Sequence, residues 1–254
     1  MSDIKILVAS HKAYWMPNDG MYLPIQVGAV GKGPIPSFAR DDYGESISKM
    51  NPRYCELTAL FWGWKNLNVG STGLVHYRRY FSGTGERGIL TAQEATHLLE
   101  DFSVILPKKR HYVIETIESH YAHTFDESHI QLIRDVLDKR CPEGLVAFEC
   151  HMRRRSAHMY NMFIMKKNYL SEYCEWLFPI LFEMEECIDF ANMTTFEARC
   201  MGRLAELLVD VWIDLNGIRY VEVPVVNLEP VNWVNKGTAF LAAKFLKKRY
   251  EKSF

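Results

Sequence analysis

The amino-acid sequence predicts an α/β fold. Short β-rich apolar runs alternate with segments of helical period along the whole chain, and no internal repeat or low-complexity linker interrupts them. The 254 residues, 48% hydrophobic and 24% charged, suffice to bury one large core or two intimate lobes. The formal net charge of −1 gives no global attraction to nucleic acid, so an anionic ligand must be held by a local basic cluster.

Ile4 to Ala9 (IKILVA) reads as a buried strand. It ends in Ser10-His11-Lys12, polar residues at the end where a parallel strand opens onto a ligand crevice. The stretch 13–48, rich in Gly, Pro and Asp, reads as a long loop. Asn51-Pro52 starts a helix, an N-cap residue followed by Pro at the first helical position, which should run to about Asn66. Thr72 to Tyr77 is the next strand, followed by Arg78-Arg79. Thr91 opens a short helix, and Ser103 to Leu106 is a strand closed by Pro107. Segments 114–123 and 127–140 read as helices, Met159 to Met165 as a strand, and Tyr169 to Cys187 as a long helix. Over 195–215, Cys200, Leu204, Leu207, Leu208, Val211, Trp212 and Leu215 recur at steps of three and four, so one helical face is core, and Asn216-Gly217 closes it. Ile218 to Val226 is a last strand, interrupted by Pro224.

The six cysteines form no CxxC pair, and several sit in apolar runs, which points to a reducing, cytoplasmic compartment. Met1 to Ile4 leads straight into a strand with no signal peptide, and no apolar run reaches the ~20 residues that a bilayer requires.

Four clusters carry candidate chemistry. His76-Tyr77-Arg78-Arg79-Tyr80-Phe81, at a predicted strand end, is a compact cationic edge whose guanidinium forks match phosphate oxygens; the alternative is a solvated loop. Arg153-Arg154-Arg155-Ser156-Ala157-His158 offers donors for phosphate or sugar hydroxyls, or is a helix end whose cations complement the dipole. His120 and His123 share a helix face below Glu115 and Glu118. They read as a binding-site wall, as half a metal site lacking the HExxH spacing, or as a satisfied surface pair. Glu197, Arg199, Arg203 and Glu206 lie on one predicted helix. Thr194-x-x-Glu197 matches a capping box, and Arg203 and Glu206 have the spacing to pair, yet a carboxylate beside an acceptor hydroxyl also serves as a base. There is no GxGxxG, no phosphate-binding GKS/GKT and no GxSxG, and no Asp-x-Asp ends a central strand.

Taken together and in order, IKILVASHK, NPRYCELTALFWGWKN, GLVHYRRYF, VILPKKRHYVIETIESHYAHT, RRRSAHMYNMFIMKK and YCEWLFPILFEME closely resemble a bacterial glycosyltransferase family long catalogued as domain of unknown function 4422. The resemblance spans about residues 4 to 235. It implies a single GT-A-like (Rossmann-like) nucleotide-sugar transferase domain with a mixed central sheet. It also implies a UDP-sugar donor and a saccharide acceptor, lipid-linked in this family's pathways, in capsule, exopolysaccharide or O-antigen synthesis, with galactofuranose transfer for some members. Ala205-Glu206-Leu207-Leu208 departs from the family pattern, which carries Arg after the Glu.

On this reading residues 1–235 are the transferase domain, and 236–254 a basic amphipathic tail, either touching the inner face of the plasma membrane or packed on the body of the protein. His11, Lys12, Asn51, Tyr54, Thr58, His76, Arg78 and Arg79 would bind the donor. His120, His123, Arg155, Ser156 and His158 would hold the transferred sugar and the acceptor. Glu206 or Glu197 would be the base, with no metal or other cofactor required. The rival readings are a non-catalytic nucleotide- or sugar-binding module and a metal hydrolase using His76, His120 and His123.

Overall fold

In the computed structural model, residues 3–229 are described. The strands are β1 (Ile4–Ser10), β2 (Tyr22–Gln26), β3 (Ala39–Arg40), β4 (Ser71–His76), β5 (Arg79–Phe81), β6 (Val104–Pro107), β7 (Arg110–His111), β8 (Ser156–Ala157), β9 (Phe163–Lys166), β10 (Tyr220–Val223) and β11 (Val225–Asn227). The helices are α1 (Asn51–Tyr54), α2 (Leu57–Asn66), α3 (Ala92–Asp101), α4 (Ile117–Thr124), α5 (Ser128–Arg140), α6 (Pro142–Met152), α7 (Lys167–Cys187), α8 (Cys200–Glu206) and α9 (Val209–Leu215).

The fold is the predicted mixed α/β class. The main sheet runs β10-β6-β9-β4-β1-β2-β3. β1 pairs parallel with both β2 and β4, and β10 parallel with β6, while β9 runs antiparallel between β4 and β6. β1 is buried on both faces, which is why it reads as a continuous apolar run rather than an alternating one. Ile4, Ile6 and Val8 enter the core that holds Ala95 and Leu99 of α3, and Leu7 and Ala9 enter the larger core under the remaining helices. Because β9 is reversed, the C-terminal ends of β1, β4 and β6 and the chain entering β9 all meet at one edge. β2 and β4 flank β1 on opposite sides, which makes this edge a topological switch point, the place where α/β sheets bind ligands.

Several predicted elements differ. The 13–48 loop contains β2 and β3. Pro24 stands opposite Val8 in the ladder, and a proline within a run argues against a strand, so β2 escapes a pattern-based reading. The 51–66 helix breaks at Cys55, whose φ of 53° lies outside the right-handed region, leaving Glu56 at the corner between α1 and α2. The 195–215 helix is likewise broken, into a 3-10 turn at Glu197–Arg199, then α8 and α9. β9 starts at Phe163 because Tyr160 and Asn161 take φ of 81° and 50°. Pro224 ends β10, and the chain then pairs antiparallel with β5 as β11. Helix α6 was not foreseen. The 236–254 tail lies outside the described residues, and among those described no helix is long and apolar enough to cross a membrane.

The segment after β1 is organised on one buried carboxylate. Asp41 accepts the Gly28 and Ala29 N–H groups at 2.7 and 3.0 Å, and the hydroxyls of Ser48 and Thr58. Gly28 has φ +59°, and a Cβ there would lie 2.5 Å from the Asn51 side chain, so only glycine fits. Removing the carboxylate strands the Gly28 and Ala29 N–H groups and the Ser48 hydroxyl, while the Thr58 hydroxyl keeps the Cys55 carbonyl at 3.1 Å. Asp41→Ala is expected to lower unfolding free energy by about 3 kcal/mol, read as a lower urea midpoint at unchanged m-value. An unchanged midpoint would contradict this account of the segment.

Candidate functional site

The strand edge gathers two groups of polar side chains. The first is a basic rim. His11 and Lys12 follow β1, and Tyr77-Arg78 form the tight turn between β4 and β5, where His76 pairs with Arg79. The His11 ring lies edge-on to Tyr77 at 5.5 Å, Tyr14 packs on Tyr77 at 4.9 Å, and the Lys12 ammonium sits 5.4 Å from the Tyr77 ring. The His11 imidazole is held below its ordinary pKa by burial and by the positive charges of Lys12, Arg78, Arg199 and Lys32. Those cations therefore share one electrostatic neighbourhood, although they come from four separate stretches of chain. Arg78 makes an exposed 3.2 Å ion pair with Glu229. Arg199 donates to the Cys55 sulfur at 3.2 Å.

The second group lies deeper, around Glu206 at the end of α8. Its side chain keeps some exposed surface yet is packed closely by protein. Burial, then the nearby Glu56 charge, pushes the Glu206 carboxyl up to about 7, against the opposing pull of Arg79, a Tyr160 backbone hydrogen bond and Arg110. Asn161 ties this region together: its amide donates to Glu56 at 2.6 Å and to the Gly202 carbonyl at 2.8 Å, one turn before Glu206. Its neighbour Tyr160 accepts a 2.7 Å hydrogen bond from His76 Nε2, and because a carbonyl only accepts, that nitrogen carries the proton. Burial is the main reason the His76 pKa is lowered. Arg79 stacks 3.9 Å from the Tyr160 ring and donates to Asn227 at 3.1 Å. Two successive non-glycine residues at positive φ cost strain, and here that strain points the Tyr160 carbonyl at His76 and the Asn161 amide at Glu56.

The structure separates the residues singled out in the sequence. His11, Lys12, His76, Arg78, Arg79 and Glu206 border the strand edge, but Arg78 and Arg79 diverge, one toward the rim and one toward Glu206. Tyr54 and Thr58 have no exposed surface: the Tyr54 hydroxyl donates to Glu185 at 2.9 Å and Thr58 bonds Asp41, so both hold the scaffold. The Asn51 amide is used on the Cys55 carbonyl at 2.7 Å and on Thr58. Glu197 accepts from the Thr194 backbone and hydroxyl at 2.8 and 2.7 Å, as the capping-box reading expects. Arg203 does not pair with Glu206; it donates to the Phe196 carbonyl and lies between the rings of Phe125 and Phe196. His158 is buried between Asp210 and Glu222, which removes it from direct contact with a sugar. His120 and His123 both bond buried Glu115, at 3.1 and 2.8 Å. Ser156 pairs with His111 in the β7–β8 ladder, and Arg155 is exposed beside it.

Among the described residues no group of three or more His, Cys, Asp or Glu side chains is arranged to hold a metal ion, so the hydrolase set of His76, His120 and His123 is not assembled. Sequence reasoning missed Glu56, Lys32, Arg110, Tyr160 and Asn161. Only Asn161 carried a usable cue, since Asn tolerates left-handed backbone better than most residues.

The family model described as a domain of unknown function (DUF4422) matches residues 5–217. The chain therefore belongs to that family. No curated protein matches it. Among solved structures, it is similar to a WbbM bifunctional glycosyltransferase with a TM-score of 0.82 and 25% sequence identity, over 89% of this chain and 45% of that one. The chain thus spans less than half the length of that protein.

A carboxyl with a raised pKa binds its proton more tightly in the folded than in the unfolded chain. The stability this gives is fully present below the ordinary carboxylate pKa of about 4.5 and is lost as pH rises through about 7. Glu206→Gln abolishes that loss. The variant is expected to gain on the parent protein between pH 4 and pH 8 by an amount on the order of 2 kcal/mol, measured by urea unfolding across that range. A constant difference, or one of opposite slope, would remove the raised pKa from the description of the site.

Proposed function

We propose that this chain is a glycosyltransferase that binds a nucleoside-diphosphate sugar at the β1/β4 edge and passes the sugar to a saccharide hydroxyl. The observation that carries the reading is the pairing of a basic rim with a deeper carboxyl whose pKa is near 7, at the topological switch of the sheet. The similarity to a bifunctional glycosyltransferase of the same fold supports it, as does the family resemblance of the sequence.

The roles divide by depth. Lys12, Arg78 and Arg199 neutralise the diphosphate, helped by Lys32, and the Tyr14–Tyr77–His11 wall offers aromatic faces for the base. As the C1–O bond to the diphosphate breaks, the negative charge left on its oxygens is met by guanidinium and ammonium groups. The acceptor hydroxyl oxygen forms the new bond to C1 and gives its proton to the Glu206 carboxylate. A base with a pKa near 7 is about half ionised at neutral pH, where it still has driving force to take the proton. Arg79 favours the ionised form of Glu206 and Glu56 disfavours it, so the pair sets the operating point. Because the cations supply charge stabilisation, we infer catalysis without a divalent ion. UDP as the nucleotide, galactofuranose as the sugar, and a lipid-linked acceptor in capsule, exopolysaccharide or O-antigen synthesis at the inner membrane face are the specific forms the resemblance favours.

Mass spectrometry of products from a panel of nucleotide sugars, with and without EDTA, tests the activity. A sugar transferred in EDTA is the expected result; binding without turnover of any donor would leave a binding module instead. Arg78→Ala and Arg199→Ala are each expected to weaken UDP binding about tenfold by calorimetry, the equivalent of one charge-assisted hydrogen bond. Unchanged affinity in both variants would move the diphosphate elsewhere. Glu206→Gln should keep UDP affinity and lose roughly a hundredfold or more in kcat, and the acid limb of the parent protein's pH–rate profile should fall near 7. Near-normal turnover in this variant would exclude Glu206 as base.

A further inference from the structure

We propose that the β7–β8 sheet and the tip that follows β7 form a docking surface for an anionic phospholipid bilayer. At that tip Val113 and Ile114 are 83% and 56% exposed. Both ends of the tip are fastened. On one side Tyr112 is buried, donates its backbone N–H to the Arg155 carbonyl at 2.7 Å, and packs its ring 4.3 Å from His120. On the other side Glu115 is buried, accepts from His120 and His123, and leads into the Thr116 capping box of α4. Two adjacent apolar side chains are thus presented outward by a built support.

The surroundings are cationic. Pairing of Arg110 with Ala157 and of His111 with Ser156 brings two basic stretches side by side, so that Lys108, Arg110, Arg153, Arg154 and Arg155 are all exposed on this part of the molecule. Arg154 pairs with Asp214 at 2.6 Å and Arg153 reaches Glu149 at 4.0 Å, and cations still outnumber acids here although the whole chain carries a net charge of −1. A two-residue apolar tip is far too small for a stable protein interface, which needs about 1,000 Å². An apolar plug ringed by Lys and Arg instead matches the headgroup region of a bilayer with acidic lipids, where apolar side chains enter and cations meet phosphate. The surface adjoins the site, since Arg110 acts on the Glu206 carboxyl. Docking would therefore hold the β1/β4 edge at headgroup level. The inference stands apart from the glycosyl-transfer reading and is tested without turnover.

The test places an environment-sensitive fluorophore at Val113→Cys in the full chain, with the exposed Cys150 and Cys187 changed to Ser. Phosphatidylglycerol vesicles should shift the emission to the blue, phosphatidylcholine vesicles should not, and high salt should reverse the shift. The same fluorophore at Tyr43→Cys, an exposed apolar position 77% open, should stay unshifted. In unlabelled protein, Val113→Ser with Ile114→Ser should weaken sedimentation with phosphatidylglycerol vesicles about tenfold. No shift at position 113 on anionic vesicles, equal shifts on both lipids or at both positions, or a shift that grows with protein concentration without vesicles would each overturn the proposal. The last of these would indicate self-association.

Discussion

β1 lies between β2 and β4 and runs parallel to both, and the rest of the molecule is arranged around that constraint. Parallel neighbours on either side mean that no tight hairpin can leave its C-terminal end, and that both its faces must be covered. The helical layer covers one face; α3 and the β4–β5 turn region cover the other. What remains uncovered is the edge where β1 and β4 stop. There the chain spends polar residues, Ser10-His11-Lys12 on one strand and His76 to Arg79 on the other. Reversing β9 delivers Tyr160 and Asn161 to the same edge, which a wholly parallel sheet would have reached only through another crossover.

Electrostatics then divides this edge into two levels. Near solvent, cations from several segments crowd together, and the His11 pKa is lowered first by burial and then by the charges of Lys12, Arg78, Arg199 and Lys32. Glu229 offsets part of this charge through its ion pair with Arg78, and cations gathered from distant segments around a perturbed histidine are the kind of arrangement that functional sites use. Deeper in, Glu206 and Glu56 stand close enough to disfavour double ionisation, and Arg79 offsets part of that cost. A structural carboxylate in this protein looks different: Asp41 is surrounded by four donors and has no acidic neighbour among its hydrogen-bond partners. The contrast between a saturated carboxylate and an under-compensated one is the physical basis for giving Glu206 the chemical role.

Much of this was legible in the sequence because it rests on local pattern. β1, β4, α3 opening at Thr91, α5 and α7 follow from apolar runs, caps and helical period, and the polar strand ends follow from them. What was not legible depends on contacts distant in the chain. Nothing local shows that the predicted helix over 51–66 breaks at Cys55 and so turns Glu56 toward Asn161, more than a hundred residues away. Helical spacing alone pairs Arg203 with Glu206, but the Phe125 and Phe196 rings draw Arg203 aside. Tyr54 and Thr58 are polar residues beside a predicted site, and burial against Glu185 and Asp41 makes them scaffold. His158 shows the same limit, since its carboxylate partners lie 52 and 64 residues away. The family resemblance reached further than local pattern, as the match over residues 5–217 shows, but it does not say which polar residues face one another.

Backbone hydrogen–deuterium exchange with and without UDP asks where on this surface the nucleotide sits. If the β1/β4 edge is the donor site, protection will concentrate at residues 10–14, 76–80 and 197–206, the stretches that carry the basic rim and Glu206. A depression lined by Pro17, Asn18, Asp19, Tyr22 and Glu86 lies away from that edge and serves as an internal control. Protection confined to residues 17–22 and 85–91, or none at saturating UDP, would contradict the account.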